Sequence, residues 1–82
     1  MSKIVIYTTR ICPYCIRAKQ LLQRKNAAFE EISVDRDEAS MQTMMELSGR
    51  RTVPQIFIDD LHVGGYEDLA ALDACGELDP LL

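Results

Sequence analysis

The sequence predicts an α/β fold: a four-stranded mixed sheet flanked by three helices, in the order β-α-β-α-β-β-α. Three observations carry this. Short β-branched and aromatic runs alternate with longer stretches of helical spacing. The first two strands are separated by a helix-length segment, which implies a right-handed crossover and a parallel pair. The last two are separated only by Asp59-Asp60, a two-residue turn that implies an antiparallel hairpin.

The elements follow in order. Residues 3–8, Lys-Ile-Val-Ile-Tyr-Thr, read as a buried first strand. Residues 16–25 lack Gly and Pro, and Ala18, Leu21 and Leu22 recur at helical spacing. Cys12 suits the N-cap of that helix and Pro13 its first residue, where a missing N–H costs nothing. Asn26-Ala27-Ala28 connects to a second strand over residues 29–34. Asp37 can cap a second helix over residues 38–48, and Gly49 is placed to end it. Met41, Met44 and Met45 share one face there and read as core filling. Residues 50–54 interrupt the pattern before a third strand at 55–58 and a short fourth at 61–63. Gly64-Gly65 then halts the chain. The last helix, residues 66–74, turns Leu69 and Leu72 inward and carries Glu67 and Asp68 in its first turn, where negative charge suits the dipole. Residues 78–82 read as a tail partly pinned by Pro80.

A chain of 82 residues makes one domain. It buries only about 60–65% of its unfolded surface, so the core is small. Its 48% apolar and 27% charged content is that of a globular protein. The net charge of −4 argues against nucleic-acid binding. No apolar run reaches membrane-span length, and residues 1–3 lead into a strand without a signal-peptide pattern. Three cysteines are too few for a disulfide framework, so the predicted setting is reducing and cytoplasmic, with a monomer as the expected state.

The chemistry centres on Cys12-Pro13-Tyr14-Cys15, at a strand-to-helix turn. The free amides of Tyr14 and Cys15 should point back at the Cys12 sulfur, and the positive end of the helix dipole lies there too. Both favour thiolate over thiol and so raise reactivity at neutral pH. Cys15, one turn along, is near enough to close a disulfide, and a nucleophile with a resolving partner is what thiol–disulfide exchange needs. A zinc site would need four ligands, and only Cys75 and His62 remain, in no paired spacing. A structural disulfide this short would constrain little chain. Residues 1–25 carry six cations and no acid, and Arg10 beside Cys12 is expected to make the reactive end locally positive. Arg24 and Lys25 read as a solvated helix end, Cys75 as a small helix-packing residue with an exposed, oxidisable thiol as the alternative, and His62 as a strand residue without a catalytic part. Taken alone, Pro54 is either a strand-start proline or a held cis proline.

Three motifs in order, Cys12-Pro13-Tyr14-Cys15, Thr52-Val53-Pro54 and Gly64-Gly65-Tyr66-Glu67-Asp68-Leu69, resemble the glutaredoxins over essentially the whole chain, most closely the short bacterial dithiol form. The resemblance implies a thioredoxin-like fold and a glutathione-dependent thiol–disulfide oxidoreductase with catalytic Cys12 and Cys15. It implies a cis peptide before Pro54, pairing of the Val53 backbone with the cysteinyl backbone of glutathione, and a γ-glutamyl end held near Gly65, Tyr66, Glu67 and Asp68. Glu67 also fits plain helix-start acid preference. Tyr14 becomes a flat wall for the ligand, with Thr52 alongside. Thr9 stands where many members of this family carry Lys; Arg10, Arg50 or Arg51 is then expected to meet the glycine carboxylate. The implied partners are glutathione as co-substrate and disulfide-bearing or glutathionylated proteins, ribonucleotide reductase among them, with no tightly bound cofactor and no metal. Two rivals are a glutaredoxin-like reductant recycled by thioredoxin reductase and an iron–sulfur carrier sharing a cluster through Cys12. The Thr-Val-Pro and Gly-Gly-Tyr-Glu-Asp features argue against the first, and the proline after Cys12 against the second.

Overall fold

The computed structural model describes residues 2–82. In chain order the elements are β1 (Ile4–Thr8), α1 (Pro13–Arg24), β2 (Glu30–Ser33), α2 (Glu38–Ser48), β3 (Gln55–Ile58), β4 (Leu61–Gly64) and α3 (Tyr66–Ala74), followed by a 3-10 turn at Asp79–Leu81. The sheet order is β2-β1-β3-β4. β1 runs parallel to β2 and antiparallel to β3, and β3 runs antiparallel to β4.

Central β1 is buried on both sides, so its residues divide by period two. Ile4 and Ile6 join Ala18, Leu21 and Leu22 of α1, Leu69 of α3 and their neighbours in one core. Val5 and Tyr7 face the other way, toward a smaller core around Val34 and Met44 of α2. Thus α1 and α3 cover one face and α2 the other. Each fully buried leucine here stabilises the fold by about 1.5–3 kcal/mol. Tyr7 meets Phe57 edge to face, with ring centroids 5.8 Å apart.

Local signals end the elements where they were expected. Asp37 caps α2, accepting the Ala39 N–H at 3.2 Å, and Gly49 closes it at φ 71°. Asp59 turns the β3–β4 hairpin at φ 52° and binds both backbone groups of Lys3, just before β1. Met44 is fully buried, with Met41 and Met45 packed around it.

The chain's end differs from the predicted tail. Leu78 is fully buried in the same core as Leu22 and Leu69, and the Ser2 hydroxyl donates to the Leu81 carbonyl at 2.6 Å. Burying this leucine contributes about 1.5–3 kcal/mol, which offsets part of the cost of ordering the residues around it. Lys25 is likewise no solvated cation: its Nζ bridges Asp73 at 2.7 Å and Asp79 at 3.0 Å, tying α1 to α3 and the final turn. Cys75, expected to pack, is exposed at the C-cap of α3. Among the described residues no helix is long and apolar enough to cross a membrane.

Candidate active site

Central β1 ends at Thr8, and the chain must turn back over the sheet before α1 begins at Pro13. That turn leaves Cys12 as N-cap in an extended conformation, φ −151° and ψ 101°. Its sulfur accepts the Cys15 N–H at 3.2 Å, while its carbonyl accepts the Ile16 N–H at 3.1 Å. Two amides were expected on the sulfur; only that of Cys15 bonds to it. Cys12 is 8% exposed and Cys15 only 1%, and both are free thiols. Burial, and then the Cys12 sulfur beside it, push the Cys15 thiol up from 9.0 to about 12.

The Val53–Pro54 peptide is cis, and the Val53 carbonyl lies 3.9 Å from the Cys12 sulfur. Buried Gln55 holds this loop, donating through Nε2 to the Thr52 carbonyl at 3.0 Å and hydroxyl at 3.2 Å. The other end of the Gln55 amide meets His62 Nε2 at 2.7 Å, and the His62 ring stacks on Phe57. Burial, then the charge of Arg50, hold the imidazole below its ordinary range, so it is neutral at neutral pH. His62 therefore supports the loop from behind the strand.

From this loop a groove of ≈ 240 Å³ runs to the start of α3. Tyr14, Thr52, Val53 and Pro54 line it together with Gly65, Tyr66, Glu67 and Asp68. The Tyr14 and Tyr66 rings sit 6.3 Å apart, and the Arg17 guanidinium lies 5.4 Å from the Tyr14 centroid. Asp68 forms half a capping box: its Oδ2 accepts the Gly65 N–H at 2.9 Å and meets Arg50 Nη1 at 3.4 Å. The Gly65 amide first, and Arg50 after it, hold this carboxyl below its usual range. Gly64 adopts φ +115°, and a Cβ there would strike the Asp68 carboxylate, so only glycine fits. Arg50 and Gln55 also line the groove. Arg50 stood only as an alternative in the sequence, and Gln55 gave no signal, being one polar residue in a short strand.

Three predicted residues lie elsewhere. Thr9 and Arg10 line a separate depression with Lys19, Glu31, Ser33 and Arg36. Arg51 is exposed and lines neither. The positive charge expected from Arg10 is offset: its Nε pairs with Asp35 Oδ2 at 3.0 Å, and its backbone N–H donates to the same oxygen at 3.1 Å. The Ser33 hydroxyl first, and then these Arg10 donors, hold the Asp35 carboxyl far below its usual range. A larger depression of ≈ 540 Å³, lined by Lys3, Tyr7, Leu47, Phe57 and His62 among others, shares no residue with the three sequence motifs, so size does not mark the site. Among the described residues no three His, Cys, Asp or Glu side chains gather as a metal site.

Residues 4–63 match the family model described as Glutaredoxin. The chain is 55% identical over 82 residues to Glutaredoxin 3 of Escherichia coli, covering 100% of this chain and 99% of that relative. It is 54% identical to a glutaredoxin of Pseudomonas aeruginosa, over 100% and 98% of the two chains. Among solved structures, the solution structure of a Brucella melitensis glutaredoxin matches with a TM-score of 0.88 at 52% identity, over 100% of this chain and 89% of that one. A buckwheat glutaredoxin–glutathione complex matches with a TM-score of 0.90 at 30% identity, over 99% and 76%.

Proposed function

The chain belongs to the glutaredoxin family of glutathione-dependent thiol–disulfide oxidoreductases, and on that premise we propose that it reduces protein disulfides and glutathione mixed disulfides, with Cys12 as nucleophile and Cys15 as resolving thiol. The observation that carries this reading is the Cys12 sulfur at the mouth of α1, bonded to an N–H and facing the carbonyl of Val53, a residue that lines the groove of ≈ 240 Å³.

On a glutathionylated protein, the Cys12 thiolate attacks the glutathione sulfur. The old S–S bond breaks, the protein leaves as a thiolate that takes up a proton, and Cys12 carries glutathione. A second glutathione, as thiolate, then attacks that sulfur. It leaves as glutathione disulfide and returns Cys12 as a thiolate. On a protein disulfide, Cys12 forms the mixed disulfide with the substrate. Cys15 loses its proton and displaces the substrate, and the Cys12–Cys15 disulfide is reopened by two glutathiones. The reducing electrons come from glutathione in both routes.

Glutathione docks along the groove. Its cysteinyl backbone pairs with Val53 as an added strand would, beside Thr52 and Pro54 and against the Tyr14 face. Its γ-glutamyl carboxylate meets the amides at the start of α3, near Gly65 and Tyr66. Its α-ammonium meets the acids there, Asp68 foremost, with Glu67 nearby. For the glycine carboxylate, Arg50, which lines the groove and meets Asp68 only at 3.4 Å, serves better than Arg51 or Thr9, which lie off the groove, or Arg10, which Asp35 engages at 3.0 Å. Glutathione is thus a co-substrate and no resident cofactor is required. The protein partners are disulfide-bearing or glutathionylated proteins, ribonucleotide reductase among them, met by a monomer in a reducing cytoplasm.

A glutathione-coupled mixed-disulfide assay tests the division of roles. Cys12→Ser should abolish all activity. Cys15→Ser should retain deglutathionylation and lose two-thiol reduction. Equal loss in the two variants would refute it.

A further inference from the structure

Five large apolar side chains are exposed among the described residues: Ile11, Tyr14, Ile16, Leu47 and Leu61. Three of these five fall within residues 11–16, around the two thiols. Tyr14 is accounted for by the groove, by Tyr66 and by Arg17. Ile11 and Ile16 are not, since neither lines the groove.

Their positions sharpen the point. With Cys12 as N-cap, Ile11 is the residue before the cap and Ile16 the fourth in the helix. An apolar pair at these places normally packs together and pins the helix entrance. Here Ile11 is 93% exposed and Ile16 49% exposed, so that contact is not made. Isolated exposed leucines and isoleucines are ordinary on protein surfaces. This pair, however, flanks Cys12, a residue that is itself only 8% exposed. A target sulfur can bond to Cys12 only through that narrow opening, and the polypeptide carrying it must then lie over the residues that flank it.

We propose that Ile11 and Ile16 form an apolar docking surface for the polypeptide segment that carries the target sulfur, and that this surface favours targets with apolar side chains next to the reacting cysteine. The proposal rests on Cys12 being the nucleophile. The charge around the surface narrows the partner further. Arg10 is paired with Asp35 and Lys19 with Glu31, but Arg17, in no ion pair among the described residues, stands beside Tyr14 at the start of α1. A target segment that is apolar with neutral or acidic neighbours fits, and a basic one does not. Glutathione, docked in the groove, leaves Ile11 and Ile16 uncovered, so small mixed disulfides gain nothing from them.

The test compares two decapeptides, each as its symmetrical disulfide-linked dimer, and one small disulfide on the full chain. One peptide has Leu on both sides of its cysteine and the other has Ser; the small substrate is the cysteine–glutathione mixed disulfide. Wild type should favour the Leu peptide about tenfold in kcat/KM, mainly through KM, because each covered isoleucine removes apolar surface from water. Ile11→Ser with Ile16→Ser should erase most of that preference and leave turnover of the small disulfide unchanged. Both side chains are exposed, so the double variant keeps its core, and Ile11→Ser alone should show an intermediate preference. Equal kcat/KM for the two peptides in wild type, or a preference that survives in the double variant, would overturn the proposal. Failure of wild type on the small disulfide would overturn the reading of Cys12, and the docking surface with it.

Discussion

Asp68 has two separable tasks, and two substitutions pull them apart. In the structure its Oδ2 caps α3 through the Gly65 N–H at 2.9 Å and meets Arg50 at 3.4 Å. Removing such a cap costs about 1 kcal/mol. The Arg50 contact adds at most about 0.5 kcal/mol, because both side chains are half exposed and screened. Asp68→Ala should therefore destabilise the protein by about 1–1.5 kcal/mol, a fall in Tm of roughly 5–10 °C for a domain this small. Asp68→Asn keeps an acceptor for the Gly65 amide and should lose about 0.5 kcal/mol or less. Glutathione binding should follow charge instead. If the carboxylate meets the α-ammonium, both variants raise KM for glutathione about tenfold, near 1.4 kcal/mol, the range of a hydrogen bond between charged groups. Urea denaturation and the mixed-disulfide assay give the two readouts. An unchanged KM in both variants would reduce Asp68 to a cap alone. Acid adds a third check. The folded carboxyl is held below its ordinary value of 3.8, so its stabilisation is complete above that pH and is lost as pH falls below it. Asp68→Ala should lack this component of acid destabilisation, and an identical acid profile would contradict the contact with Gly65.

Two further outcomes follow from burial. Burial is the first cause of the raised Cys15 thiol and does not depend on a charge at Cys12, so closure of the Cys12–Cys15 disulfide from a preloaded Cys12–glutathione species should speed up as pH rises past neutrality in stopped-flow; levelling off at neutral pH would mean that Cys15 ionises easily. Leu78→Ala should cost about 2–4 kcal/mol in urea denaturation, because the side chain is fully buried in the α1–α3 core, and a loss below about 1 kcal/mol would mean that the chain's end contributes little.

Most of the architecture was legible because its signals are local. Pro13 after a capping cysteine, Asp37 before α2, Gly49 after it and Asp59-Asp60 between two strands each act within a few residues. What the sequence left unread depends on partners far along the chain. The order β2-β1-β3-β4 is settled by which strand has two faces to bury, and the cue, an unbroken apolar run in β1, names no neighbours. The Asp35 partner of Arg10 is 25 residues away, so a local charge count put a cation near the thiol that the fold had already paired. Leu78 looked like tail because no periodicity surrounds it, yet it faces Leu22 and Leu69 across the core. At the site, the motif residues Tyr14, Thr52, Val53, Pro54, Gly65, Tyr66, Glu67 and Asp68 do meet in one groove. The residues that brace it were less visible: Gln55 reads as one polar strand residue until His62 and Thr52 are seen on either side of its amide.

The thiols of Cys12 and Cys15 are chemically identical and three residues apart, so only their surroundings can give them different work. Cys12 stands outside the first turn of α1 as its cap, and a peptide N–H points at its sulfur. Cys15 lies within that turn, 1% exposed, where burial and the neighbouring sulfur both oppose its ionisation. A mixed disulfide formed on Cys12 removes the second of these and keeps the first, so burial alone then holds down the thiolate fraction of Cys15 and slows its attack from within. That delay leaves time for a glutathione in the groove to resolve it from outside. On this reasoning the choice between the one-thiol and two-thiol routes is set mainly by how deeply the second cysteine is buried. The packing of Cys15 at the base of the first helical turn would then govern selectivity, and the capped sulfur of Cys12 would serve both routes alike.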